Sequence, residues 1–593
     1  ERQRLFKEIK GWDAYNEKLL SKGGRIYNRA DKSLSLTPEI KKLYNIDKDK
    51  LSPPELIQAM LKKDVDLIWF GGIGTYIKAT SETHSEVGDK GNDALRVNAS
   101  DIKAKVIGEG ANLALTQNAR VELALKGVRL NADFIDNSGG VDSSDHEVNI
   151  KILMTDIMAG KHGMDTPKRN KLLASMTEEV ASLVLRHNYQ QTQGISLMEM
   201  QAVDQVADHI ALMHDLERVA NLDRKLDGLP SDEELLNRQR EGRGLTRPEL
   251  SMLQAYAKIQ FSQALLATDI PDQAELQDDW LVNYFPQPLR KPYRTEMLRH
   301  RLRREIIATN LSFQMVNRMG PTFVEGMVKK TGAAVADVAR AWIIVANAFG
   351  LQQLWAEIES LDGKVSGQVQ LAALREISRT AERETMWFLT RLGRKPDIKR
   401  DAVFREGIAA YAKNIENVMT PKRREQVDAR TAELLQDGLP KDMARRIATI
   451  PMLGAACDII RISNECKTDV VTTALTYFEI GEYFRTSPMR AKARAMRADD
   501  RWAAEVISNV VDRLYDAQSS LAIRVLKETA PRKGTKGQGS RKDTVSLLTP
   551  WLNDRAGELA HIEAVLLDVE KTAVPDISML IVAEQRIRAL VAA

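Results

Sequence analysis

Two short apolar runs, each closed by glycine just before a polar or helix-forming stretch, constrain this chain more than anything else in it. Val65 to Phe70 ends in Gly71-Gly72, and Lys105 to Gly108 runs into Glu109-Gly110-Ala111-Asn112. Runs of this length bounded by turn residues are the signature of strands buried in a parallel sheet. Between them and beyond, Leu113 to Gly127 predicts a helix with Leu123 and Leu125 apolar and Gly127 as its stop, and Val128 to Phe134 reads as a third strand. Strand, helix, strand with short links is the pattern of a parallel α/β sheet. Ahead of the first run, Ser52 to Glu55 has capping-box spacing, with Pro53 suited to a first helical turn.

From about residue 160 the strand-like runs disappear and helical windows take over, among them Lys171 to Arg186, Met198 to Val219, Arg294 to Asn317, Ala333 to Phe349, Leu371 to Leu392 and Ala503 to Val525. Thr246-Arg-Pro-Glu249 is a second capping box. Breaks are expected at Asp227 to Pro230, Pro286 to Pro292, Asp362 to Gly367 and Gly438 to Pro440, and a loop at Pro531 to Ser540. A chain this long holds several domains at a prior of ~150 residues each. The expected division is an α/β part at 1–160 and a mainly α part at 161–593, the latter split near 230–245.

Several function classes fall away on charge and composition. Eighty-six Lys and Arg against 82 Asp and Glu leave a net charge of +4, which demands no nucleic-acid or anionic-membrane partner. The basic run Arg290 to Arg304 is interrupted by Glu296 and striped by Leu298, Leu302 and Ile306, so it reads as a solvated helix face or a source of salt bridges. Trp342, Trp355 and Trp387 read as packing residues. Cys457 and Cys466 form no CxxC, and no histidine spacing supports a metal site, so no metal is assigned. The apolar run from Trp342 is cut at Asn347, far short of the ~20 residues that span a bilayer. Glu1-Arg-Gln-Arg, without Met or apolar signal core, reads as the interior of a longer protein.

The chemistry concentrates at three glycine-bearing junctions: Gly71-Gly-Ile-Gly74, Gly108-Glu-Gly110-Ala-Asn112 and Asn137-Ser-Gly-Gly140. Ligands of open α/β sheets bind beyond the carboxyl ends of the strands, where glycine permits close approach and amide side chains reach a sugar or carboxamide. The third junction opens Asp133 to Met154, whose second part, with Val148, Ile152 and Leu153 apolar, predicts an amphipathic helix with its first-turn N–H groups open to an anion. Neither Gly72 to Ile77 nor Gly108 to Leu113 completes G-x-G-x-x-G, so a phosphate-binding turn, if one serves this site, is expected upstream of Glu1.

The segments Asp66 to Lys78, Val87 to Val97, Val106 to Gln117 and Asp136 to Lys151 closely resemble the large NAD-specific glutamate dehydrogenases of bacteria, and Leu245 to Ser251 extends the likeness into the helical tail. The resemblance implies a partial Rossmann-like parallel sheet followed by a large C-terminal all-helical region. It implies NAD as cofactor, oxidative deamination of L-glutamate to 2-oxoglutarate and ammonia as the reaction, and a cytoplasmic homo-oligomer binding neither nucleic acid nor membrane. On matching residues, Gly71, Gly72, Gly110, Asn112 and Asn137 are expected at the cofactor, with Asn137 also near the substrate's reacting carbon. Ser144 is expected at the distal carboxylate of glutamate, as a hydroxyl on the first turn of a helix. Asp142 and Asp145 stand where smaller relatives have neutral residues; they either crowd that anion or serve the helix dipole from the outer side. The catalytic lysine and acid/base are expected upstream of Glu1, and Lys78 and Lys90 read as surface lysines. His146 is expected to be a supporting or solvated residue. The rival readings are a non-catalytic helical scaffold and a nucleic-acid-associated helical protein.

Overall fold

The computed structural model describes residues 1–160, 164–392, 396–496, 501–529 and 548–592. The loop expected at 531–540 lies outside them. Two compact units divide the chain, Glu1–Thr322 and Phe323–Ala593.

The first unit carries the sheets. Leu34–Ser35 (β1) and Lys50–Leu51 (β2) pair antiparallel. The capping box closes as expected: Ser52 N donates to Glu55 Oε2 at 2.8 Å at the head of Pro53–Leu61 (α1). Leu67–Phe70 (β3) and Val106–Glu109 (β6) pair in parallel, Leu67 opposite Val106 and Phe70 opposite Glu109. Ile77–Lys78 (β4) and Val97–Asn98 (β5) form the other parallel pair. The chain is thus α/β at its start and mainly α thereafter.

Strand β3 buries one face rather than two. Side chains alternate along a strand; Phe70 goes into the core with Ile77, Ile107, Leu115 and Leu123, whereas Leu67 and Trp69 point out at 54% and 62% exposure. The third strand expected at 128–134 shrinks to a bridge between Arg129 and Val106. Past it, Asp133 and Asp136 turn their carboxylates inward, and a short helix, Asp133–Asp136, replaces the strand.

Among the helices of this unit are Gln117–Leu125 (α2), the Asp133–Asp136 turn (α3), Ser138–Ala159 (α4), Thr177–Gln201 (α5), Arg247–Leu266 (α6) and Arg303–Met319 (α7). Helix α6 starts at the second capping box, Thr246 N donating to Glu249 at 2.6 Å. Helices α5, α6 and α7 pack mutually. Gly194 of α5 is where they come closest: a Cβ there would lie 2.8 Å from Gln254 Nε2 of α6 and 2.9 Å from the Asn317 carbonyl oxygen of α7. A fully buried histidine, His209, sits on the following helix, Val206–Ala220, neither ring nitrogen having a hydrogen-bond partner.

Three of the six helix windows are broken in the molecule, while those at 333–349, 371–392 and 503–525 each fall on one helix, Val335–Ala348, Gly367–Arg391 and Arg501–Thr529. The window at 171–186 straddles two helices, Thr166–Ala174 and α5, and that at 198–219 breaks between Gln201 and Val206. The one at 294–317 breaks around His300, whose Nδ1 accepts from Leu302 N at 3.1 Å while Nε2 meets the Asn149 carbonyl at 3.1 Å. The basic run around it is ion-paired: Arg294 to Asp278 at 2.9 Å, Arg303 to Asp272 at 3.0 Å, Arg301 to Asp156 at 3.5 Å, and Arg304 also to Asp272.

The second unit is helical throughout its described residues. Trp342 and Trp355 stack with ring centroids 6.4 Å apart in its core, and Trp387 Nε1 donates to buried Asp458 at 2.8 Å. Both cysteines are free thiols. Among the described residues no helix is long and apolar enough to cross a membrane.

Candidate functional site

The first two glycine junctions lie side by side because β3 and β6 are paired. Gly110 N donates to the Phe70 carbonyl at 2.8 Å, which continues the ladder past the end of β6. A Cβ on Gly110 would come within 3.1 Å of that oxygen and 3.2 Å of Trp69, so the strand ends can approach only without a side chain there. Gly71 and Gly72 differ, since an added Cβ would meet nothing within 4 Å. Packing does not require glycine at 71 or 72.

Beyond β6 the backbone is held by carboxylates. Leu115 N donates to Glu109 Oε1 at 3.1 Å, Leu113 N to Asp133 Oδ2 at 2.7 Å, and Glu109 N to Asp136 Oδ2 at 3.1 Å. Leu113 has φ of 58°, a left-handed conformation that costs an L-residue about 1–2 kcal/mol and here is held by its bond to Asp133. Arg120 of α2 closes the network from below: Nε and Nη2 bond Glu109 at 2.7 and 2.9 Å, and Nη2 lies 3.3 Å from Asp133. Glu109 is 1% and Arg120 2% exposed. Burial alone would lower the Arg120 guanidinium, but the facing carboxylates outweigh it and hold the group above its ordinary range. Burial pushes Glu109 the other way, above the usual carboxylate range, and the hydrogen bonds that take up the lone pairs and protons of both groups are the condition under which such a buried pair persists.

This frame presents Asn112 at the surface and joins it to the third junction. The Asn137 side-chain amide donates to the Ala111 carbonyl at 3.3 Å and to Asn112 Oδ1. Four of the six expected ligand-contact positions, Gly71, Gly72, Gly110 and Asn112, are thus gathered at the ends of two parallel strands, with Asn137 bonded onto them. Two linked amides at such a crevice can offer both donors and acceptors to a sugar hydroxyl or a carboxamide.

Ser144 stands apart. It is the seventh residue of α4 rather than part of its first turn, ~10 Å along the axis from Asn137 at 1.5 Å per residue, and its exposed hydroxyl donates to Gly140 O at 3.3 Å. The helix mouth also differs from expectation, because α3 runs into α4 with Asn137 alone between them and Gly140 N already donates to Asn137 O at 3.0 Å. Val148, expected on the apolar face, is 50% exposed, and the buried stripe is His146, Asn149, Ile150, Leu153, Met154 and Ile157.

Asp142 and Asp145 turn inward. Asp142 Oδ2 lies 2.8 Å from His187 Nδ1 of α5, and Asp145 Oδ2 accepts from the Tyr284 hydroxyl at 3.2 Å. His146 is wholly buried rather than solvated, its ring stacked on Tyr284 at 4.5 Å. Lys78 is buried too, contrary to its reading as a surface lysine: Nζ donates to Asn98 Oδ1 at 2.5 Å and to the Glu82 carbonyl at 2.7 Å. That amine is structural. Lys90 is exposed.

Sequence reasoning missed the Glu109, Arg120 and Asp133 network and the Asp142, His146 and His187 cluster. The first left a faint trace, a glutamate closing an apolar strand. The second left a clearer one, a carboxylate and a histidine at i, i+4 on one helix face.

Comparison with known proteins bears on the same residues. A family model described as "Glutamate dehydrogenase, C-terminal" matches residues 242–589, and one described as "Bacterial NAD-glutamate dehydrogenase, catalytic domain" matches 1–198. The chain is similar to the NAD-specific glutamate dehydrogenase of Halomonas elongata, at 40% identity over 94% of this chain and 34% of that protein. It is also similar to those of Pseudomonas aeruginosa, at 39% over 99% of this chain and 36% of that protein, and Mycobacterium tuberculosis, at 33% over 99% and 36%. The chain spans about a third of the length of these curated relatives.

Proposed function

Since the chain belongs to the bacterial NAD-specific glutamate dehydrogenase family, we propose that its paired strand ends form the nicotinamide-side wall of a cofactor cleft for oxidative deamination of L-glutamate. In this reading residues 1–160 supply the nucleotide-facing part and 161–593 the helical part. What NAD supplies when bound is the hydride acceptor, and the products are 2-oxoglutarate and ammonia. Asn112 and Asn137 would hold the nicotinamide ribose and carboxamide region, with Gly110 admitting the cofactor's approach and Gly71 and Gly72 leaving room for it. Ser144, further along α4, would bind the distal carboxylate of glutamate. A cytoplasmic setting and self-assembly through the helical region accompany this reading; the two free thiols support the first.

The observation that carries the proposal is the bond from Asn137, which links α3 to α4, to Asn112 just beyond the end of β6. It orients two amides before any ligand arrives, so little ordering is left for binding to supply. The test is NADH fluorescence titrated against the chain and against Asn137→Ala. Loss of one such hydrogen-bonding group is expected to weaken binding up to about tenfold, with the melting transition unchanged. No NADH binding by the wild-type chain, or equal affinity in the variant, overturns the assignment. In an active dehydrogenase carrying this chain, Ser144→Ala is expected to raise KM for glutamate more than for NAD; equal shifts would remove Ser144 from the substrate site.

A further inference from the structure

Behind the exposed face of α4, three potential metal donors converge from two helices. Asp142 and His146 stand one helical turn apart on α4, and His187 faces them from α5. One donor atom from each lies within 4.8 Å of the other two. Donors sharing a tetrahedral ion at about 2.0–2.1 Å stand about 3.3 Å apart, so side-chain rotations that draw the three donors together by roughly 1.5 Å close the site. His146 supplies the second observation. It is 0% exposed, and neither ring nitrogen has a hydrogen-bond partner. A buried imidazole normally satisfies both nitrogens, one as donor and one as acceptor.

We propose that Asp142, His146 and His187 form a site for a divalent cation of the zinc class, which fastens the first turns of α4 to α5. Two imidazoles and one carboxylate suit a borderline-soft ion better than magnesium or calcium, which take oxygen donors. The surroundings fit that chemistry. Aromatic rings enclose both imidazoles, Tyr284 stacked on His146 at 4.5 Å and Phe313 against His187 at 5.0 Å, which limits water's competition for the ion. Lys258 Nζ lies 4.3 Å from the Phe313 ring centroid, on the ring that stands against His187. The ion would pin the helix bearing Ser144, and the inference does not depend on the dehydrogenase reading.

The test uses the full chain, stripped with chelator and titrated with Co2+ while its visible d–d absorption is followed, then challenged with Zn2+. One equivalent is expected to bind with a tetrahedral spectrum and to be displaced by zinc. Asp142→Asn, nearly isosteric, and His187→Gln should each weaken binding by more than about 100-fold, beyond the effect of losing an outer hydrogen-bond partner. His214→Ala, at an exposed histidine outside the cluster, should bind as the wild type does. If the wild-type chain takes up no equivalent, if Asp142→Asn binds as tightly, or if His214→Ala abolishes the signal, the site does not exist. The wild-type titration decides the matter even where a variant fails to fold.

Discussion

Arg120→Ala is expected to destabilise the first unit by about 3–5 kcal/mol, the usual consequence of leaving a buried charge without its partner. The guanidinium is the sole cation bonded to Glu109 among the described residues and also faces Asp133, and Glu109 is 1% exposed. Without Arg120, burial raises Glu109, already pushed above its ordinary range, until it takes a proton or draws in water. Either event loosens the carboxylate-to-amide scaffold of residues 109–115, so NADH affinity should fall along with stability. Urea unfolding of the chain supplies the measurement. The double variant Glu109→Leu with Arg120→Met should recover much of the loss in stability, since matched apolar groups need no pairing, while NADH binding stays weak because Leu115 N has lost its acceptor. A single-variant loss under about 1 kcal/mol would show that water already compensates the pair.

The second large effect depends on acidity. His209 is fully buried among Val206, Leu212, Met213 and Leu216, and burial lowers its pKa to about 4. Its folded pKa lies below the ordinary value near 6.5, so the unfolded chain binds this proton more readily than the folded one. The histidine's contribution to stability is therefore complete above pH ~6.5 and is lost progressively as pH falls toward ~4, in total on the order of 3 kcal/mol. His209→Leu should remove that slope over the same window and leave the carboxylate-driven slope below it. Parallel stability curves for wild type and variant would mean that water reaches the ring.

What could be read in the sequence was local. Glycine after an apolar run marks a strand end whatever surrounds it, and so the junctions at 71 and 110 are legible without the fold, whereas the one at 137 follows a helix and not the expected strand. Capping boxes at Ser52 and Thr246 were equally legible, because each is complete within four residues. Helix lengths were not, since the breaks at 202–205 and at His300 answer to tertiary bonds: the ring of His300 caps Leu302 and reaches Asn149, about 150 residues away in sequence. The charged residues misled in the opposite way. Lys78, Glu109 and Arg120 carry the composition of a surface and the burial of a core, and only their partners, dispersed over 79–133, explain the difference. Leu67 and Trp69 invert that error, because a strand with one covered face keeps the composition of one with two.

The glycines of this chain carry two kinds of message under one letter. At Gly194 the neighbouring Asn317 backbone lies 2.9 Å from where a side chain would begin, so the fold alone dictates the residue and its identity says nothing about ligands. At Gly71 and Gly72 there is nothing to collide with, and folding is indifferent to what stands there. A library selected for folding would thus preserve glycine at 194 and scramble it at 71 and 72, and a return of glycine there when selection moves to catalysis would trace the outline of the cofactor proposed to lie against them.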